Sequence, residues 1–222
     1  MDLEDLRAVS PTATQPQALS AYRAGLFPMG IGEGGTGRIG WWAPRRRGVL
    51  LPGRLRVSKS LRKSARRFEF SVDRAFEEVI RACADPSRPG RWITADIIRL
   101  YTQLHREGWA HSVEVWSSGR LVGGLYGVAI GSLFAGESMF HTETDASKAA
   151  LAHLVGIFDD APSHSPSTSE DAADGDASWI IDTQWQTPHL ATLGVSEISG
   201  LEYAARLDSA LRGNHCQAIL NK

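Results

Sequence analysis

Cysteine is scarce. Cys83 and Cys216 are the two in 222 residues, far apart and outside any metal or redox spacing, which argues against a disulfide framework or a cysteine-based zinc site. Histidine pairs at zincin spacing are also missing. Metal catalysis is therefore set aside, and no metal is expected. No apolar run approaches the roughly 18 residues of a membrane span, so no membrane partner is expected. The first six residues, MDLEDL, are acidic where a secretory leader is basic. Together these absences predict a protein of the reducing cytoplasm.

Charge of one sign is missing from two stretches. Residues 38–67 hold eleven Lys and Arg and no acid, whereas residues 159–178 hold six acids and no Lys or Arg. The net charge of −1 conceals this asymmetry. The first stretch suits a polyanion and the second does not.

Three motifs begin and fail. Gly30, Gly32 and Gly35 have the spacing of a dinucleotide fingerprint, but Pro28 precedes them and Trp41-Trp42 stand where a helix should open, so residues 30–37 read as a loop. Residues 120–125 (RLVGGL) approach the pyrophosphate loop of an acetyl-CoA enzyme and miss its last position. Residues 136–140 (GESMF) begin like a nucleophile elbow without its final glycine, which argues against Ser138 as nucleophile.

What is there supports an ordinary folded protein. Hydrophobic residues make up 42% and charged residues 22%, enough for one domain with a small companion. Residues 1–20 read as a loose lead-in and residues 18–26 as a short helix. Residues 41–52 read as one strand. Ser58 caps a helix in which Lys59, Arg62, Lys63, Arg66 and Arg67 recur at spacings of three and four. Asp73 and Thr94 cap two amphipathic helices ending before Pro86 and at Gly108. Residues 111–116, 121–130 and 133–140 form an antiparallel meander, in which Gly123, Gly124 and Gly127 mark a bulge or the close approach of a ligand. A small-residue helix starts at Thr144 or Asp145. Residues 159–178 read as a disordered insertion. Residues 179–184 form a buried strand, a helix capped by Ser199 and Glu202 follows, and residues 214–222 read as a frayed tail. The fold class is α+β, helices on a mostly antiparallel sheet.

Candidate chemistry falls on three side chains. Glu137 is a lone carboxylate in an apolar run, and a buried carboxylate needs partners. Asp182 and Gln184 are two apart, so in a regular strand they share a face, where the Asp carboxylate can accept from the Gln amide and orient it. Each also has a plain structural reading, as a salt-bridged core group or a polar strand end. A non-catalytic RNA-binding protein would leave the three without a joint role.

With these motifs read, the sequence resembles the leucyl/phenylalanyl-tRNA–protein transferases. The resemblance lies in residues 21–28 (AYRAGLFP), 41–44 (WWAP), 92–94 (WIT), 111–116 (HSVEVW), 121–128 (LVGGLYGV), 136–140 (GESMF), 146–148 (ASK), 181–184 (IDTQ) and 189–190 (HL), in family order across most of the chain. It implies a small basic N-terminal domain, residues 1–57, and a catalytic domain like the N-acetyltransferases (GNAT-like), residues 58–222. It implies an enzyme that moves leucine or phenylalanine, with methionine as a further donor, from aminoacyl-tRNA to the N-terminal Arg or Lys of an acceptor protein; a monomer is expected. The product enters the bacterial N-end degradation pathway, and no cofactor is needed. By family position, Lys59, Lys63, Arg66 and Arg67 would hold the tRNA acceptor stem and Trp92 the terminal adenosine. Leu125, Phe134, Met139, Leu154 and Phe158 would take the amino-acid side chain. Asp182 would orient Gln184 to hold the attacking amine, and Glu137 would organise the site or receive the acceptor's cationic side chain. Met29 stands where many relatives carry Trp.

Overall fold

The computed structural model describes residues 3–87, 92–161 and 179–222. Its elements run β1 (Leu6–Ser10), α1 (Gln15–Arg23), β2 (Phe27–Gly30), β3 (Ile39–Trp42), β4 (Arg46–Leu50), α2 (Lys59–Ala65), β5 (Glu69–Val72), α3 (Phe76–Cys83) and α4 (Ala95–Arg106). They continue with β6 (Ala110–Ser117), β7 (Arg120–Ile130), β8 (Leu133–His141), α5 (Ala146–Asp159), β9 (Ile180–Gln184), α6 (Pro188–Thr192), β10 (Ser196–Ser199) and α7 (Gly200–Arg212).

Two sheets result. The small one has the order β1-β3-β2, and the large one β10-β4-β9-β8-β7-β6-β5. Among the described residues every strand pairing is antiparallel except β8 with β9. The α+β class and the mostly antiparallel sheet expected from the sequence are therefore present.

One apolar cluster joins α2 and α5 to one face of the large sheet, through Leu61, Leu125, Phe134, Leu154 and Phe158. A second joins the small sheet, α1, α3 and α4 to the other, through Tyr22, Trp42, Phe76, Tyr101 and Tyr126. From Leu125 onward, alternate residues of β7 feed the two clusters, as the two-residue period of a strand requires.

Several local expectations need correction. Residues 41–52 are not one strand: the chain changes sheet between Trp42 and Arg46, so β4 belongs to the large sheet although it precedes the expected domain boundary at residue 57. The lead-in is not loose, since β1 pairs with β3. Ala75, not Asp73, occupies the cap of α3; the Asp73 carboxylate instead accepts from Ser112 N at 2.8 Å and meets His111 Nδ1 at 2.6 Å. The C-terminal segment forms a 3-10 turn with Cys216 and Ile219 buried. Of the two readings of Gly123, Gly124 and Gly127, the bulge is present, beside Gly123 and at Gly127, and what approaches them is protein rather than ligand. A Cβ on Gly123 would lie 2.5 Å from the Ala146 Cβ, and one on Gly124 2.8 Å from the Val113 carbonyl oxygen. Asp159 closes α5 and Asp160 caps it; residues 162–178 of the expected insertion lie outside the described residues.

Candidate active site

The only parallel pairing among the described strands opens the site. β8 and β9 stay paired from Leu133 and Ile180 to Ala135 and Asp182. Beyond that point β9 continues along β4, and β8 along β7.

A bulge sits on each strand where they part. Tyr126 pairs with Ser138 and Gly127 with Gly136, which leaves Glu137 as the extra residue of β8. Gly48 pairs with Gln184 and Val49 with Asp182, which leaves Thr183 as the extra residue of β9. A bulge re-aims the side chains around it. Met139 packs with the α5 cluster, and regular alternation would send Glu137 the same way. Instead Glu137 bonds to residues of α1 and α4. On β9, Gln184 takes a left-handed conformation, φ 59°. Each bulge faces a glycine. A Cβ on Gly127 would lie 2.3 Å from the Ala135 carbonyl oxygen, and one on Gly48 2.7 Å from Gln186 N.

Glu137 is half-buried. Tyr22 Oη donates to its Oε1 at 2.7 Å and Tyr101 Oη to its Oε2 at 2.9 Å. The two hydroxyls lie 2.5 Å from each other. Burial pushes the Glu137 pKa up to about 7, against the two tyrosine bonds that lower it; Asp182 adds to the rise and Arg47 opposes it.

Asp182 is buried in a different network. Arg47 clamps it with Nε to Oδ1 at 2.8 Å and Nη2 to Oδ2 at 2.6 Å. Tyr203 Oη donates to Oδ2 at 2.9 Å. Arg47 is 1% exposed. Its guanidinium donates to the Gly25 carbonyl at 3.0 Å and lies 4.9 Å from the Phe27 ring centre and 4.4 Å from that of Tyr203. Burial works against the Arg47 charge, but Asp182 and Tyr203 outweigh it and hold the guanidinium firmly protonated.

The expected bond between the Asp182 and Gln184 side chains is replaced by another. Asp182 Oδ1 accepts from the Gln184 backbone N–H at 2.9 Å. It therefore fixes the left-handed backbone of Gln184. The buried Gln184 Nε2 has no hydrogen-bond partner among the described residues.

A carboxyl held by tyrosines distant in sequence and a carboxamide on a backbone fixed by Asp182 thus flank the opening between two strands. Residues 49–165 match the family model for leucyl/phenylalanyl-tRNA protein transferase, and residues 14–45 match the model for that family's N-terminal domain. A leucyl/phenylalanyl-tRNA–protein transferase of Methylococcus capsulatus is 47% identical over 207 residues, covering 90% of this chain and 79% of the relative. One from Azoarcus is 44% identical, covering 91% and 80%. One from Legionella pneumophila is 40% identical over 217 residues, covering 95% and 88%. The chain belongs to the leucyl/phenylalanyl-tRNA–protein transferase family. It is thereby an aminoacyltransferase.

The other residues expected from the family fall into three places. Leu125, Phe134, Leu154 and Phe158 are at most 3% exposed and share one cluster, against which the partly exposed Met139 packs. Trp92 belongs to the opposite cluster and is half-buried. The glycine loop holds it: a Cβ on Gly35 would lie 2.6 Å from the Trp92 carbonyl oxygen. Lys59, Lys63, Arg66 and Arg67, with Arg62, stand exposed on and just after α2, without an ion pair among the described residues. α2 packs on α5, and Ser64 Oγ donates to Asp145 at 3.0 Å beside the α5 N-terminus.

Not every cation of the basic run is free for RNA. Arg45 pairs with Glu4, Arg46 with Glu197 and Arg47 with Asp182. Sequence reasoning missed Tyr22, Arg47, Tyr101 and Tyr203 as members of the site. Tyr22 and Tyr101 sit at apolar spacings within their helices, and Arg47 is one of three consecutive arginines. A cleft of about 640 Å³ lies away from these groups, between residues 11–15 and the start of α4.

Proposed function

We propose that this protein transfers leucine or phenylalanine from its tRNA ester to the α-amine of a protein beginning with Arg or Lys, marking that protein for N-end degradation in the cytoplasm. The observation that carries the reading is the opening between β8 and β9, with Glu137 on one bulge and Gln184 beside the other. The catalytic unit is read as GNAT-like, with support from a parallel pair that parts inside an otherwise antiparallel sheet. Lys59, Lys63, Arg66 and Arg67 would bind the acceptor stem. Trp92 would hold the terminal adenosine. Met139, half-buried against the apolar cluster, would mark where an amino-acid side chain enters above Leu125, Phe134, Leu154 and Phe158. Val and Ile, branched at Cβ, fit such a slot worse than Leu or Phe.

The donor ester is already activated, so positioning supplies much of the acceleration. The Gln184 carboxamide would hold the acceptor amine. Its oxygen would accept from that amine, and its buried nitrogen, a donor without a partner among the described residues, would be free for an acceptor oxygen of the substrate. Asp182 acts through the Gln184 backbone and is a positioning residue. The reading requires no metal and no coenzyme, and a single chain suffices.

The test is transfer of labelled leucine from leucyl-tRNA to a peptide beginning with Arg, alongside one beginning with Ser. Wild type should label the Arg peptide alone. Gln184→Ala should lower transfer at least about tenfold at saturating tRNA, the scale of a lost positioning contact. Equal labelling by the variant would sink the assignment.

A further inference from the structure

Three contacts close a ring: Tyr22 Oη with Glu137 Oε1 at 2.7 Å, Tyr101 Oη with Glu137 Oε2 at 2.9 Å, and Tyr22 Oη with Tyr101 Oη at 2.5 Å. Each tyrosine has one hydroxyl proton, and an ionised carboxylate has none. With Glu137 ionised, both protons point at the carboxylate and the short contact between hydroxyls has no proton to bridge it. With Glu137 protonated, three protons serve three contacts. The carboxyl donates to one tyrosine, that tyrosine to the other, and the second back to the carboxyl, so the bonds reinforce one another around the ring. Both hydroxyls are fully buried, and burial followed by the Glu137 charge raises their pKa well above that of free tyrosine. The carboxyl is therefore the member of the ring that changes charge.

Other groups bear on it from each side. Arg47 from β4 favours its ionised form and Asp182 from β9 opposes it. Tyr126 from β7 stacks edge-on to Tyr101, with ring centres 5.4 Å apart. Glu137 as a residue is half-buried, with each carboxyl oxygen on a tyrosine hydroxyl.

We propose that the Tyr22–Tyr101–Glu137 ring is the proton acceptor of the transfer reaction. The inference rests on the reading that the acceptor amine lies between Glu137 and Gln184. The α-ammonium gives one proton to the Glu137 carboxylate, and the ring closes. The neutral amine nitrogen then bonds to the ester carbonyl carbon. The bond from that carbon to the ribose oxygen breaks, and a second amine proton goes to the departing oxygen. Glu137 releases its proton to solvent. The net products are an amide, a free tRNA hydroxyl and one proton. A free α-amine titrates near 8, so most of it needs this deprotonation at neutral pH.

Single-turnover transfer of leucine to an Arg-initiating peptide, followed from about pH 5.5 to 9.5 at saturating substrates, reads the acceptor directly. Wild type should show an acidic limb near the Glu137 pKa of about 7. Glu137→Gln should fall about a hundredfold at the acidic end and recover to within about threefold at the alkaline end, where the amine is free without help. Tyr101→Phe keeps the carboxyl and should displace the limb. Loss of the same factor across the whole range in Glu137→Gln, with the Tyr101→Phe limb where wild type has it, would overturn the proposal and leave Glu137 a binding or structural group. Gln184→Ala separates the two readings. It should lower transfer evenly across the range with the limb in place. An unaffected Gln184→Ala would overturn the placement of the amine itself, whatever the Glu137 profile.

Discussion

Arg47 is the side chain whose removal should matter most to folding. Asp182 is 1% exposed, and its carboxylate is matched by a buried guanidinium in a two-point clamp. Such a pair adds little beyond an apolar substitute, but deleting one partner leaves a charge stranded in the interior. Arg47→Ala should therefore lower stability by about 3–5 kcal/mol, measured as the urea midpoint. Arg47→Lys restores charge without the planar fork and should recover part of that. A loss within the error of the midpoint would show that Tyr203 and the backbone suffice for Asp182. The sequence concealed this residue for a plain reason. Arg46 and Arg47 are adjacent and chemically identical, yet the strand period sends one to Glu197 at the surface and the other into the core. Glu137 was legible because a single carboxylate in an apolar run is anomalous wherever it points.

At the level of elements, the meander, the amphipathic helices and most caps were readable from periodicity and capping residues. Ser58, Thr94 and Ser199 each accept the backbone N–H three residues on. The bulges were only hinted at. Gly127 signalled an irregularity in β7, but which residue of β8 became the extra one depends on pairing that a single strand does not encode. The split of residues 41–52 between two sheets escaped for the same reason. Two glycines test the argument in opposite directions. Gly127→Ala places a methyl 2.3 Å from the Ala135 carbonyl oxygen and 2.5 Å from the Phe134 ring. It should cost about 1–3 kcal/mol and reduce transfer further by shifting Glu137. Gly156 lies exposed within α5, with nothing within 4 Å of the added methyl. Gly156→Ala should raise stability by about 0.5–1 kcal/mol at unchanged transfer. Thermal unfolding of the two variants distinguishes a position required by packing from one that is merely permissive.

Across the whole molecule, net charge is −1, so an overall field does not draw RNA to this protein. Attraction must come from the local face around α2. On that face Lys59, Arg62, Lys63, Arg66 and Arg67 are exposed and unpaired among the described residues, while Arg45, Arg46 and Arg47 are engaged by carboxylates of the protein itself. Cations that displace counterions from phosphates leave a salt signature: the logarithm of the binding constant falls with the logarithm of salt by about 0.7–0.9 for each phosphate neutralised. Lys59→Ala combined with Lys63→Ala should therefore reduce the steepness of salt dependence by about 1.5 for charged tRNA. Arg45→Ala, which removes a cation already paired with Glu4, should leave the slope near that of wild type. At saturating tRNA the rate of leucine transfer by the double variant should stay within about threefold of wild type, since neither lysine lies at the bulges and lost uniform binding alters KM rather than kcat. Equal slopes for the double variant and wild type would move the RNA-binding face away from α2 and would leave the acid-free run of residues 38–67 as a solvated surface.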